Sequence, residues 1–261
     1  MTDISIISIG KNCAAHVDGT IASVLSQKLN GIEIEYIIID GLSTDDTIDR
    51  VVKSSKGDSR VRVISEADKG ISDAMNKGAR VADGKLLFHL HFGDILFSND
   101  VIAKVWDNYR RHQWRWAAGT LLISKDGVDV KSISFKPGRV SDLIKKNCVP
   151  HQATFIARDL FLDSGGFDID MKQAMDYDLW LRLTHVYKES LHVLPFVIAK
   201  FDSSGESTKL RPLLKGNARA REKMVRQYGA TTTTLIELLF YSRIIAYWMY
   251  YRGSMYLKGI F

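Results

Sequence analysis

Six carboxylates stand where carboxylates can do chemistry: Asp40, Glu66, Asp68, Asp94, Asp176 and Asp178. The first four follow apolar runs. Asp40 closes IEYIIID, Glu66 and Asp68 follow VRVIS, and Asp94 follows KLLFHLHFG. An acid at a strand end can accept hydrogen bonds from a nucleotide base or ribose. It can also bind a hard divalent cation that keeps waters and substrate phosphates in its shell. One carboxylate plus a diphosphate can hold Mg2+ or Mn2+, which then acts as a Lewis acid on a leaving diphosphate. The plainer role for Asp94 is to cap the segment that begins near Phe97. Asp176 and Asp178 sit in QAMDYDLWLRL, and on a helix residues two apart face different ways. Arg182 follows Asp178 by one helical turn and is its natural ion-pair partner. That leaves Asp176 for a cleft, where a carboxylate can deprotonate an attacking hydroxyl.

These acids need elements to carry them. ISIISIG (4–10), IEYIIID (34–40), VRVIS (61–65) and KLLFHL (85–90) read as strands. Helical spacing is found over 17–29, 43–55 and 71–81, the second opened by a Ser43/Asp46 capping pattern. Strands alternating with helices predict an α/β fold with a Rossmann-like, mostly parallel central sheet flanked by helices. Ligands gather outside the carboxyl ends of such strands, where Asp40, Glu66, Asp68 and Asp94 fall. In the second half, 101–111 reads as a helix and WRWAAGTLLISKDG with KSISFKPGR as a small antiparallel element. Residues 148–168 hold a short strand and then a helix or turn, and 175–183 form a helix. LHVLPFVIAKFD (191–202) is a late strand that Pro195 assigns to an edge.

Composition narrows the class. A chain of 261 residues, 46% apolar, suits one sizeable α/β domain over 1–208 and a basic, aromatic helical extension over 209–261. The net charge of +6 is reinforced by residues 209–226, where Glu222 is the sole acid. Cys13 and Cys148 are the only cysteines, too few for a disulfide framework or a cysteine metal cluster. The start, MTDISIISIGKN, lacks a signal-peptide pattern, and no run of about 18 uncharged apolar residues appears. A cytoplasmic protein is expected. The loop after the first strand, GKNCAAHVDG, has neither GxGxxG nor a P-loop, which disfavours NAD and ATP.

In order along the chain, the first strand, IIIDGLSTDDT, SEADKGISDAMNKG, LHFGD, PHQATFIAR and MDYDLWLRL resemble family 2 glycosyltransferases of the GT-A fold. The branch they are most similar to builds bacterial surface polysaccharides, including the colanic-acid type. The resemblance covers roughly 4–206. It implies an inverting, metal-dependent transfer from a nucleotide-sugar donor, with a UDP-sugar expected. The acceptor is a hydroxyl of a glycan or lipid-linked saccharide. By resemblance Asp40 contacts the base, and Ser8 borders the same pocket. Glu66 and Asp68 lie beside the donor, and Asp73 is on a helix near it, its plainer role being to decorate a solvated face. Asp94 is the metal-binding end of a DxD-like motif, with Mn2+ or Mg2+ as cofactor. His151 faces donor phosphates or acceptor, and Asp176 is the catalytic base.

This chain departs from the pattern at His91, where Asn is common, and at Met175, where an acid often precedes the base. SSGEST (203–208) only loosely matches the family's loop near the diphosphate. Trp114 and Trp116 read as core, with an acceptor platform as the alternative. The tail (235–261) is aromatic and apolar but broken by Glu237, Arg243 and Arg252. After a basic stretch it predicts a helix lying on the inner face of the cell membrane. The alternative is docking on the domain or in a homo-oligomer interface. A nucleotidyltransferase and a non-catalytic sugar-nucleotide-binding scaffold are the competing functions. Nucleic acid is not an expected partner.

Overall fold

The computed structural model describes residues 2–125, 128–134, 143, 147–202 and 210–228. SSGEST and the tail at 235–261 lie outside the described residues. The elements are β1 (Ile4–Gly10), α1 (Ala14–Leu25), β2 (Ile34–Asp40), α2 (Thr47–Ser55), β3 (Val61–Ser65), α3 (Ile71–Val81), β4 (Leu86–His89) and β5 (Ile95–Leu96). They continue with α4 (Val101–His112), β6 (Trp116–Lys125), β7 (Val128–Ile133), a 3-10 turn at His151–Ala153, β8 (Thr154–Ala157), α5 (Arg158–Asp163), α6 (Met175–His185), β9 (His192–Asp202) and α7 (Leu210–Tyr228).

The strands form one sheet in the order β3-β2-β1-β4-β8-β6-β9-β5, with β7 paired to β6. β3, β2, β1 and β4 are mutually parallel. Their isoleucine-rich sequences are buried on both faces in β1 and β2, as a helix-covered sheet requires. β3, at the border, has only Val61 and Ile64 partly covered and its other residues exposed. β8 runs antiparallel to both β4 and β6, and β6–β7 is the expected antiparallel hairpin. The expected α/β architecture is therefore present.

Three local expectations change. The Ser43/Asp46 capping box does not form. Asp46 occupies the cap position without a side-chain bond, because the Ser43 hydroxyl donates to Asp40 instead. Asp45 serves the helix start by accepting from the Thr47 N–H at 3.0 Å. The helix expected at 17–29 begins and ends earlier, at Ala14–Leu25. β9 is an edge strand only in part: β5 covers it at Ala199 and Lys200, whereas around Pro195 its partner among the described strands is β6. Pro195 is tolerated because the register with β6 shifts there: Ala118 pairs with Val193 and Thr120 with Val197. Gly119 opposes this bulge, where a Cβ would sit 2.9 Å from the Phe196 carbonyl oxygen.

The basic helix α7 is docked rather than solvated. Ala220 and Met224 join Met171, Ala174, Tyr177 and Leu181 in a second apolar cluster against α6. Lys223 reaches Asp168 at 2.7 Å and Asp178 at 3.0 Å. Asp178 also binds Arg182 through Nε at 2.9 Å, the ion pair that their spacing predicts. Arg182 donates further to the carbonyls of Ser164 and Gly166. Asp178 and Arg182 are both buried. Removing one member of a buried pair strands the other charge, so Arg182→Ala is expected to destabilise the fold by about 3–5 kcal/mol in urea unfolding. A loss no larger than the ~1 kcal/mol of an exposed pair would contradict this role.

Candidate active site

The carboxyl ends of the parallel strands define one rim of the sheet. Asp40 ends β2, Ser65 ends β3, and the His91–Asp94 turn follows β4. Because β8 is antiparallel to β4, pairing Leu86 with Ala157 and Phe88 with Phe155, its beginning lies at this same rim. Residues 147–153, just before β8, are thereby delivered to the acids. Asp176 joins them through a hydrogen bond from Asn147 Nδ2 to its Oδ2 at 3.0 Å.

Asp40 is buried, and its carboxylate ties two loops together. It accepts from the Ser43 N–H at 3.1 Å and from the Ser65 hydroxyl at 2.6 Å. Ser8 is fully buried; its hydroxyl bonds the Leu90 carbonyl and meets the Tyr36 hydroxyl at 2.8 Å. Ser8 therefore joins β1 to β2 and to the end of β4, and shapes the rim from beneath.

The acids after β3 form a braced loop. Asp68 accepts from the Gly70 N–H at 2.8 Å. Its other oxygen approaches the loop after β2 so closely that a Cβ on Gly41 would lie 2.5 Å from it. Glu66 is half exposed and pairs with Lys77 at 2.9 Å. Lys77 also donates to the Ala67 carbonyl at 2.5 Å. Asp73 accepts from the Lys69 N–H at 3.0 Å, with Lys77 and Arg80 each 3.8 Å away. Asp73 thus supports the start of its own helix, and at 16% side-chain exposure it does not lie on a solvated face.

Asp94 is buried. Its N–H donates to the His91 carbonyl at 3.0 Å, and its own carbonyl accepts from Thr20 at 2.8 Å. Gly93 closes this turn with φ +101°, a left-handed conformation that suits glycine. His91 and His151 stack at 5.4 Å between ring centroids, with their Nε2 atoms 3.3 Å apart. Burial, reinforced by His151 nearby, pushes His91 down to about 3. Burial alone pushes His151 down to about 4. Both rings are therefore neutral at ordinary pH. His89 is held well below the usual histidine range, mainly by burial.

Asp176 sits in the first turn of α6, after Ala174 in a left-handed conformation at φ 59°. Its Oδ1 accepts from the Tyr177 N–H at 2.8 Å. Burial pushes its carboxyl above the usual carboxylate range, while the bonds from Asn147 and the backbone pull the other way. A raised carboxyl close to a site rim is the property expected of a group that exchanges protons. Trp116 stacks on Trp180 at 5.2 Å, and both Trp114 and Trp116 are buried. They are core, and the acceptor-platform alternative is set aside.

The family model described as glycosyl transferase family 2 matches residues 5–162. The chain belongs to glycosyltransferase family 2. A Mycobacterium tuberculosis H37Rv protein named as an uncharacterized glycosyltransferase is 30% identical over 231 residues, 86% of this chain and 85% of that one. The structure of S. aureus TarS 1–349 in complex with UDP superposes with a TM-score of 0.66 at 15% identity. That match covers 87% of this chain but 66% of the TarS chain, so the chain spans just under two thirds of its length. The mannosyltransferase PcManGT from Pyrobaculum calidifontis, in complex with GDP-Man and Mn2+, superposes with a TM-score of 0.59 at 14% identity, covering 98% and 84%. These structural likenesses establish the GT-A-type fold of this glycosyltransferase.

Within that fold, Asp94 closes the turn that follows β4. Among the described residues no group of three or more His, Cys, Asp or Glu side chains could hold a metal ion. An all-protein cage is therefore a poor fit. A hard cation that draws most of its ligands from a diphosphate and water suits a site with one carboxylate.

Two residues that were given no site role from sequence prove important. Asn147 contacts Asp176 but stands one residue before the motif-bearing stretch at 148–168, and a loop asparagine carries no periodic signal. Asn76 binds the Phe167 backbone with both ends of its amide, at 2.7 and 2.9 Å. It fixes α3 to the loop that leads toward α6, where its sequence context suggests only a solvated helix face.

Proposed function

We propose that this glycosyltransferase transfers a sugar from a nucleotide-sugar donor, a UDP-sugar in the first instance, to a hydroxyl of a glycan or lipid-linked saccharide. Transfer proceeds with inversion in the assembly of a bacterial surface polysaccharide, in the manner of the colanic-acid-type branch. The observation that supports this reading is that Asp40 and the His91–Asp94 turn end parallel strands at one rim, to which the reversed strand β8 brings His151, and with it Asn147 in its bond to Asp176.

In this mechanism the loops tied by Asp40 and by Lys77 form the donor wall, with Asp40, Glu66 and Asp68 along it. Neutral His151 and His91 lie between that wall and α6, where they add no positive charge of their own. Asp176 takes the proton from the acceptor hydroxyl as the oxygen attacks the anomeric carbon from the face opposite the diphosphate. An ionised carboxylate has about four lone-pair sites. The bonds from Asn147 and Tyr177 occupy two positions and leave capacity for a hydroxyl. Mn2+ or Mg2+ held by Asp94 and the donor diphosphate would supply charge neutralisation to the leaving group.

No helix among the described residues is long and apolar enough to cross a membrane. We infer from the aromatic, basic sequence of 235–261 that this tail lies on an anionic membrane surface and brings the site to lipid-linked acceptors.

Asp176→Asn should lower turnover by about 100-fold or more while leaving donor binding, measured by thermal shift with UDP-sugars, near that of the parent. Normal turnover would remove Asp176 from the role of base. Asp94→Ala should abolish the Mn2+-dependent part of that thermal shift, and an unchanged metal response would contradict its assignment. Deleting 235–261 should release the protein from phosphatidylglycerol vesicles in co-sedimentation; equal partition of both forms would argue against the surface helix.

A further inference from the structure

α1 carries a polar stripe along the segment that leads out of the His91–Asp94 turn. Thr20 is fully buried. Its hydroxyl accepts from the Gly93 N–H at 3.1 Å and donates to the Asp94 carbonyl at 2.8 Å. Ser23 accepts from the Leu96 N–H at 3.2 Å. Gln27, just past the helix end, donates to the Ser98 carbonyl at 2.8 Å and accepts from the Ile102 N–H at 3.1 Å. His16 precedes Thr20 by four residues, so it shares the face of α1 that carries Thr20 and Ser23. Its ring rests on Gly93: a Cβ built on that glycine would meet Cγ and Nδ1 of His16 at 3.8 Å.

Thr20, Ser23 and Gln27 all hydrogen-bond the segment they touch. His16 does not. Its ring is exposed and makes no hydrogen bond to any described residue. The ring leans on Gly93 with its Cβ, Cγ and Nδ1 side, which leaves Nε2 as the outer nitrogen. α1 begins shortly after β1 ends at Gly10, the residue opposite Asp40. The first turn of α1, where His16 sits, is therefore at the rim that carries Asp40 and the His91–Asp94 turn.

This rim is poor in hydrogen-bond donors. The side chains assigned to the donor wall are carboxylates, which when ionised accept hydrogen bonds and offer none to a phosphate oxygen. Lys77 is committed to Glu66 and to the Ala67 carbonyl. A neutral imidazole protonated on Nε2 is a donor, and a hydrogen bond to a charged group is among the stronger ones.

We propose that His16 is a donor-binding residue whose Nε2 hydrogen-bonds the diphosphate of the nucleotide sugar at the His91–Asp94 turn. This rests on the reading of that turn as the seat of the metal and the diphosphate. Thr20 fixes the backbone of the turn, and His16, one helical turn nearer the rim, meets the ligand.

The test measures binding of UDP, UMP and uridine to the full chain with Mn2+ by calorimetry, with GDP and guanosine in parallel. His16→Ala should weaken UDP about tenfold and leave uridine unchanged, so the parent's preference for the diphosphate falls by the same factor. His16→Gln, whose amide nitrogen can replace Nε2, should recover part of that preference. Urea unfolding of His16→Ala should keep the parent's midpoint, since the ring bonds nothing in the protein. An unchanged preference for UDP, an equal loss of UDP and uridine, or a lowered midpoint would each overturn the role of His16 alone, provided the parent binds the diphosphate and Asp94→Ala weakens it. If the parent binds neither UDP nor GDP, or Asp94→Ala binds as the parent does, the seat at this turn and the role of His16 fall together.

Discussion

β8 enters the sheet against the direction of β4, with Leu86 opposite Ala157 and Phe88 opposite Phe155. A parallel strand here would have sent residues 147–153 to the far side of the sheet, away from Asp40 and Asp94. Reversal instead brings His151 into contact with His91 and Asn147 into contact with Asp176. The stacking of Phe88 on Phe155, at 4.3 Å between centroids, lies within that pairing. The apolar energy that seats β8 in the core is thus also what closes the site.

Asp176 and Asp178 show how environment divides two carboxylates on one helix. Asp178 is buried but matched by Arg182 and Lys223, so its charge secures α6 to α7 and to the loop at Ser164–Gly166. Asp176 is half-buried with neutral donors only, and desolvation raises its carboxyl. A paired charge is suited to holding a helix in place, and an under-compensated one to accepting a proton. The docking of α7 therefore bears on the site, because it braces the helix that carries Asp176.

Much of this is legible from sequence because its causes are local. Isoleucine-rich runs identify β1 and β2, and the one-turn spacing of Asp178 and Arg182 foretells their ion pair. Strand ends locate Asp40 and Asp94. Non-local causes stay hidden. Pro195 signals an edge, but neither the cover that β5 gives further along at Ala199 and Lys200 nor the register shift opposite Gly119. Ser43 and Asp46 have capping spacing, but Asp40 claims the serine. His91 looks anomalous until His151, 60 residues away, is brought to its ring. The contact of Asn147 with Asp176 likewise depends on the β8 reversal, which no motif encodes.

The central claim is a single displacement at this rim, with Asp176 as base and no covalent sugar intermediate. The stereochemistry of the product tests it most directly. The anomeric proton coupling of the transferred sugar, read by NMR on product formed from an α-linked UDP-sugar, should show the β configuration. A product that retains the α configuration would contradict the account.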